Sequence, residues 1–167
     1  MHLANFFLNS KQKKHEIGDV VKTSIEEFKV IRDLMKEMIG LEYDDGKKKR
    51  KLVVDDFLII SPYNTQVNLL LSKLEESKIK NPKVGTIDKF QGQEAPITII
   101  SMTSSDSDSL PRNKEFFFSR NRLNVAISRA QIASIILFNP NLLNSSPKNI
   151  EQIKLMNNFF KILKHKI

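Results

Sequence analysis

Short runs of unbroken apolar residues, each stopped by a turn signal, constrain this chain more than any other feature. Phe57-Leu58-Ile59-Ile60 ends at Ser61-Pro62, and Ile132–Phe138 ends at Asn139-Pro140. Val84–Ile87 and Ile97–Met102 are the other candidate strands. A strand that alternates apolar and polar residues has one wet face, whereas a continuous apolar run has both faces covered, as in a parallel sheet between helices. The intervening segments carry helical spacing. Phe28, Ile31, Met35, Met38 and Ile39 follow a hydroxyl cap with carboxylates behind it (Thr23-Ser24-Ile25-Glu26-Glu27), and Gly40 stops the pattern. Asn64 begins a second helix with Val67, Leu70, Leu71 and Leu74, Asn121–Arg129 forms a third, and Ile150–Leu163 closes the chain. Alternating strands and helices predict an α/β domain with a mainly parallel sheet. Ligands of such sheets are expected at the carboxyl ends of the strands. Leu41–Lys51 reads as a polar loop turning at Asp44-Asp45-Gly46, and Thr103–Leu110 as a serine- and aspartate-rich loop.

The 167 residues suit one domain. With no cysteine there is no disulfide scaffold or thiol nucleophile, and the three histidines, His2, His15 and His165, are scattered, so no metal site is expected. The apolar runs are too short to span a bilayer and the first ten residues lack the form of a signal peptide, so a cytoplasmic, reducing compartment is expected and no membrane partner. The formal charge of +8 is confined to one end: residues 1–110 hold 17 basic and 17 acidic side chains, and residues 111–167 hold 10 basic against Glu115 and Glu151. Such a basic third fits a polyanionic partner, nucleic acid before membrane; a lysine-rich proteome explains it as well.

Three segments beside predicted strands hold the chemistry. They are Ser61-Pro62-Tyr63-Asn64-Thr65-Gln66, Val84-Gly85-Thr86-Ile87-Asp88-Lys89-Phe90-Gln91-Gly92-Gln93-Glu94, and Asn121-Arg122-Leu123-Asn124-Val125-Ala126-Ile127-Ser128-Arg129-Ala130-Gln131. No phosphate-wrapping P-loop accompanies them; Gly40 and Gly46, followed by Lys47-Lys48, have the wrong spacing and no hydroxyl. Asp44-Asp45 and Asp55-Asp56 lack a third acid in nuclease context and suit turns and strand entry. Phe116-Phe117-Phe118 suits packing better than base stacking, and the basic run Lys47–Lys51 suits a solvated loop better than a phosphate contact.

In order and spacing these segments resemble the second RecA-like motor domain of superfamily-one helicases. The similarity is to the branch containing the nonsense-mediated-decay helicase and the replication nuclease-helicase, and within it to bacterial helicases fused to a RecB-like nuclease. It covers about residues 15–165. It implies a RecA-like three-layer α/β/α fold over residues 1–167, as a C-terminal motor domain of an ATP-dependent DNA or RNA helicase. Arg129 would be the catalytic arginine reaching across a cleft to the γ-phosphate. Gln91, Gly92, Glu94, Arg122 and Arg129 would face ATP, Glu94 accepting from the ribose and Gly92 letting the backbone approach. Arg122 would touch phosphate, orient Glu94, or serve structure alone. Thr86 would hold a nucleic-acid phosphate, its alternative being a turn cap. Ser61, Tyr63, Asn64, Gln66 and Asp88 would join Thr86 along a single-strand track; Tyr63, Asn64 and Gln66 suit a structural strand-helix corner equally well. Two departures stand out. Gln131 replaces the arginine that often follows the last alanine, and the family's opening Q-x-Y-R-x-H-P segment has no match. The chain is therefore expected to start after that segment and to lack the first motor domain, which would be its partner together with single-stranded nucleic acid. ATP and Mg2+ would serve the complete protein, with none bound by this chain alone. The alternative is a non-catalytic nucleic-acid-binding module of the same fold.

Overall fold

The computed structural model describes residues 2–7, 24–44, 46, 49–103, 120–138, 150, 153–154 and 157. Five strands form one sheet: β1 (His2–Phe7), β4 (Phe57–Ile60), β5 (Lys83–Gly85), β6 (Ala95–Ser101) and β7 (Ala130–Phe138), in the order β1-β7-β6-β4-β5. Every neighbouring pair is parallel, with Ile59 opposite both Val84 and Ile99, and Ile99 opposite Ile135. This is the expected RecA-like architecture. The edge strand β1 carries no apolar signal of the kind that marks β4, β6 and β7, and the sequence reading passed over it.

Period-2 geometry sends successive residues of the apolar runs to opposite faces. Phe57, Ile59, Ile97, Ile99, Ile135 and Leu137 pack under α1 (Ile25–Met38) and α2 (Asn64–Glu76). Leu58, Ile60, Ile100, Ile136 and Phe138 pack under α3 (Arg120–Ser128) and the 3-10 turn Ile87–Phe90. Helix α1 starts as its capping pattern requires: the Ser24 hydroxyl accepts from Glu27 N at 3.1 Å. It stops at Gly40, whose φ of +92° needs glycine. Helix α2 is capped by Tyr63 rather than Asn64, with no side-chain cap bond. Val84–Ile87, expected to be extended throughout, leaves the sheet after Gly85 and turns into the 3-10 segment.

The expected polar loop at 41–51 holds an antiparallel pair, β2 (Glu42–Asp44) and β3 (Lys49–Lys51), in a register that sets Glu42 opposite Lys51 and Asp44 opposite Lys49. Opposed charges hold these strands without apolar alternation. Arg50 stacks 4.6 Å from the centre of the Tyr43 ring and forks onto Asp56 at 2.6 and 2.7 Å. Burial pushes the Asp56 carboxyl up, but the Arg50 fork and the Val53 N–H overrule it and hold it below the usual carboxylate range. Asp44 accepts from Gly46 N at 2.9 Å. Asp44 and Asp56 therefore serve turn and strand entry, and Asp45 lies outside the described residues. Of the segments read from sequence, Phe116–Phe118 and the loop beyond Thr103 lie outside the described residues. Within Ile150–Leu163 the described positions are helical and exposed.

Candidate nucleotide and nucleic-acid site

The crossovers decide where the motif residues fall. β5, β6 and β7 follow one another in sequence and run parallel, so each connection must run back from the carboxyl end of the sheet to its amino end. The first does so through the turn Ile87–Phe90 and the second through α3. Site residues on these connections are thereby spread along the face of the sheet, instead of gathering at the carboxyl ends as expected from fold class.

At the carboxyl ends lie Ser61, Tyr63, Asn64 and Thr86. Ser61 follows β4, is fully buried, and donates its backbone N–H to Gly85 O at 3.1 Å. Its hydroxyl accepts from Tyr63 N at 3.5 Å. The Tyr63 ring belongs to the core beneath α3. Asn64 is exposed. Thr86 caps the 3-10 turn with its backbone while its half-buried hydroxyl makes no cap bond. Gly85 before it is tightly enclosed: a Cβ there would come within 2.5 Å of Lys89 Cδ and 3.1 Å of Phe90 Cε2. Lys89 is held by its Nζ bond to Val84 O at 2.9 Å.

Gln66 departs from the expected track. Its side chain is fully buried on the α1 side, accepting from Ser24 N at 2.8 Å and donating to Ser101 Oγ at 3.1 Å and Ser24 O at 3.3 Å. An amide used up in this way has nothing left for a strand, so the structural-corner alternative describes it. Ser61 is enclosed to the same degree, so its side chain is withheld from the surface.

A second group lines one recess of about 270 Å3 between α3 and the 3-10 turn: Asp88, Gln91, Arg122 and Arg129, floored by Ile87 and Val125. Arg122 lies near the start of α3 and Arg129 directly follows its last residue, and both line this recess. Arg129 Nε is buried and has no hydrogen-bond partner. A guanidinium N–H withdrawn from water without an acceptor is a costly arrangement, and it fits an anionic group docking there. Asp88 sits with this group rather than with Thr86 and Asn64. Gly92 (φ +79°) makes the turn after Gln91, with open space where a Cβ would be. Glu94 is exposed at the foot of β6, and Ala95 N donates to Arg129 O at 3.0 Å, which binds the Glu94 loop to the end of α3. Ser134 Oγ donates to Ile127 O at 3.0 Å and anchors the same helix end to β7. Ile87 and Val125 went unnoticed as part of the site, because an apolar floor residue looks like core in sequence.

A family model described as an AAA domain matches residues 2–141, β1 included. The chain belongs to this family. It is 37% identical over 99 residues to a probable RNA helicase, armi, of Drosophila melanogaster, covering 57% of this chain and 8% of that protein. It is 33% identical over 133 residues to an uncharacterized ATP-dependent helicase of Methanocaldococcus jannaschii, covering 78% of this chain and 17% of the relative. The DNA replication ATP-dependent helicase/nuclease of Bos taurus is 34% identical over 82 residues, covering 49% of this chain and 8% of the relative. The chain is thus a superfamily-one, ATP-dependent helicase domain of the branch that holds the nonsense-mediated-decay and replication nuclease-helicases. It spans only 8% to 17% of the length of these relatives. Among the described residues no helix is long and apolar enough to cross a membrane.

Proposed function

We propose that this chain is the second, C-terminal motor domain of an ATP-dependent helicase, facing ATP with one surface and single-stranded nucleic acid with another, with a first RecA-like domain as partner. The observation that carries this is the recess in which Arg122 and Arg129 converge with Gln91, with Arg129 Nε buried and lacking an acceptor. Arg129 would supply positive charge to the transferring phosphoryl oxygens. Arg122 and Gln91 would hold neighbouring oxygens, and Glu94, exposed and fixed beside the Arg129 backbone, would accept from the ribose. The positive φ of Gly92 keeps the approach free of a side chain. ATP, bound with Mg2+, supplies the phosphoryl group whose transfer drives movement. The strand would lie over the carboxyl ends of β4 and β5, with the uncapped Thr86 hydroxyl and Asn64 on its phosphates and the enclosed Ser61 and Tyr63 fixing that corner.

The test is a titration of a fluorescent single-stranded oligonucleotide with the purified chain at several salt concentrations, alongside an ATPase assay. With only one half of the track, binding should be non-specific and salt-dependent, with Kd roughly 10⁻⁴–10⁻⁶ M at physiological salt. ATP turnover should be absent, because the sequence contains no P-loop. Salt-indifferent tight binding would contradict the track. Phosphate release that survives further purification and vanishes in Arg129→Ala would contradict the division of labour between two domains.

A further inference from the structure

The far side of the sheet from the recess holds a polar cluster that the proposed chemistry does not use. Glu27, on the first turn of α1, is 3% exposed. Its Oε2 accepts a short hydrogen bond from Ser101 Oγ, and its Oε1 accepts from Thr103 N at 2.9 Å. Ser101 Oγ also accepts from Gln66, so the first turn of α2 joins the cluster. Thr103 has φ +57°, left-handed backbone that a β-branched residue avoids at a cost of about 1–3 kcal/mol. The Glu27 carboxyl binds the very N–H that this conformation presents.

Between the two clamped residues lies Met102. Its backbone N–H bonds to Leu137 O at 3.0 Å, and its side chain points to the other face, into a small apolar gap shared with Pro62, Arg122 and Leu123. One residue therefore shares a gap with Pro62 of the Ser61–Asn64 corner and with Arg122 and Leu123 of α3, and the groups on either side of it are held by one carboxylate.

We propose that Glu27 is a positioning residue: by fixing Ser101 and Thr103 it sets Met102 beneath α3 and so places Arg122 in the recess and Pro62 at the strand corner. This rests on the ATP-facing role proposed for that recess. Removing the carboxyl frees Thr103 to relax out of the left-handed region. Met102 then shifts, and both surfaces lose their register while the sheet stays intact.

The test uses the whole 167-residue chain, isotopically labelled, as wild type, Glu27→Ala and Glu27→Gln. Thermal unfolding serves as the folding control. In Glu27→Ala the Met102 methyl, the Arg122 and Arg129 Nε–H and the Tyr63 amide resonances should move, while those of Lys49–Lys51 should stay. Affinity for a thymidine oligonucleotide should fall at least threefold. Glu27→Gln, which keeps an oxygen for Thr103 N–H, should restore the resonances and the affinity. A folded Glu27→Ala chain with Arg122 and Tyr63 resonances at wild-type positions overturns the assignment, as does failure of Glu27→Gln to restore them. If Glu27→Ala does not fold, Glu27→Asp, whose shorter side chain draws both oxygens back from Ser101 and Thr103, makes the same cut more gently and is judged by the same resonances. A wild-type chain that binds no oligonucleotide would defeat the proposed strand track, and the arginine and tyrosine resonances would still decide the role of Glu27.

Discussion

Burial raises the Glu27 carboxyl from its ordinary 4.5 to about 7; the Ser101 and Thr103 hydrogen bonds pull it down but do not prevail, and neighbouring Glu26 adds a small upward push. The groups bonded to it are the uncharged Ser101 hydroxyl and Thr103 N–H, and from α2 the uncharged Gln66 amide reaches it only through Ser101. The consequence for folding has a definite sign. Between pH 4.5 and 7 the unfolded chain has released this proton and the folded chain still holds it. Stability must therefore fall as pH rises through that window, and level off above it. At 1.36 kcal/mol per pH unit the loss is about 3 kcal/mol. For a domain of this size that corresponds to roughly 6–12 °C in Tm. Glu27→Gln mimics the protonated form and does not titrate. Urea unfolding of both proteins from pH 4.5 to 8.5 should give curves that nearly meet at the acid end and separate toward pH 8, with the variant the more stable there. Carboxylates held low, such as Asp56, act in the opposite sense at lower pH and cancel in the difference. Curves that run parallel over the whole range would refute the buried, proton-holding carboxyl.

Three further outcomes follow from single observations. In the complete helicase, Arg129→Ala should lower kcat by on the order of 10³–10⁵ with the fold intact, and Arg129→Lys should recover only part, since a single ammonium cannot reproduce the guanidinium fork; steady-state ATPase kinetics with saturating single strand, with circular dichroism as control, decides this. The Thr98 hydroxyl is fully buried in β6 without a hydrogen-bond partner, so Thr98→Val should stabilise the chain by about 1 kcal/mol in urea, and a lowered midpoint would show that the hydroxyl is satisfied in solution. Gly92→Ala should cost about 1 kcal/mol from its φ of +79° alone, because nothing lies within 4 Å of a Cβ there; Gly92→Asn should cost less, and equal losses would point to a contact instead of backbone strain.

What was legible in the sequence is what burial writes there. A strand covered on both faces is apolar at most positions, so β4, β6 and β7 stand out, and the Ser24 cap and Gly40 stop mark α1 because each meets a backbone requirement within one turn. The features that escaped depend on partners far along the chain. The β2–β3 pair is held by charges and by Arg50 reaching Asp56, and such pairs look like loop in a one-dimensional pattern. Gln66 sits inside a motif and six residues past the end of β4, where an amide facing a ligand and an amide facing Ser24 and Ser101 have the same local sequence. Glu27 was visible as a capping carboxylate of a helix start; nothing near it in sequence shows that its oxygens reach across to Ser101 and Thr103.

The same logic explains the layout of the candidate site. Motif residues that are adjacent in a sequence need not share a ligand when the chain between them runs from one end of the sheet to the other. Thr86 leaves β5 at the carboxyl end, and eight residues later Glu94 enters β6 at the amino end. Arg122 and Arg129 mark the two ends of the return path through α3. A parallel sheet with short crossovers thus stretches each motif across the whole domain face. One motif can then meet nucleic acid at its start and nucleotide at its finish, with the rigid turn Ile87–Phe90 and α3 between. In such a layout any two ligands at the ends of a motif would be held apart by strand length and helix rise, and the Thr86 end is tied to the start of α3 through Ile87, Met102 and Arg122, which line one apolar gap.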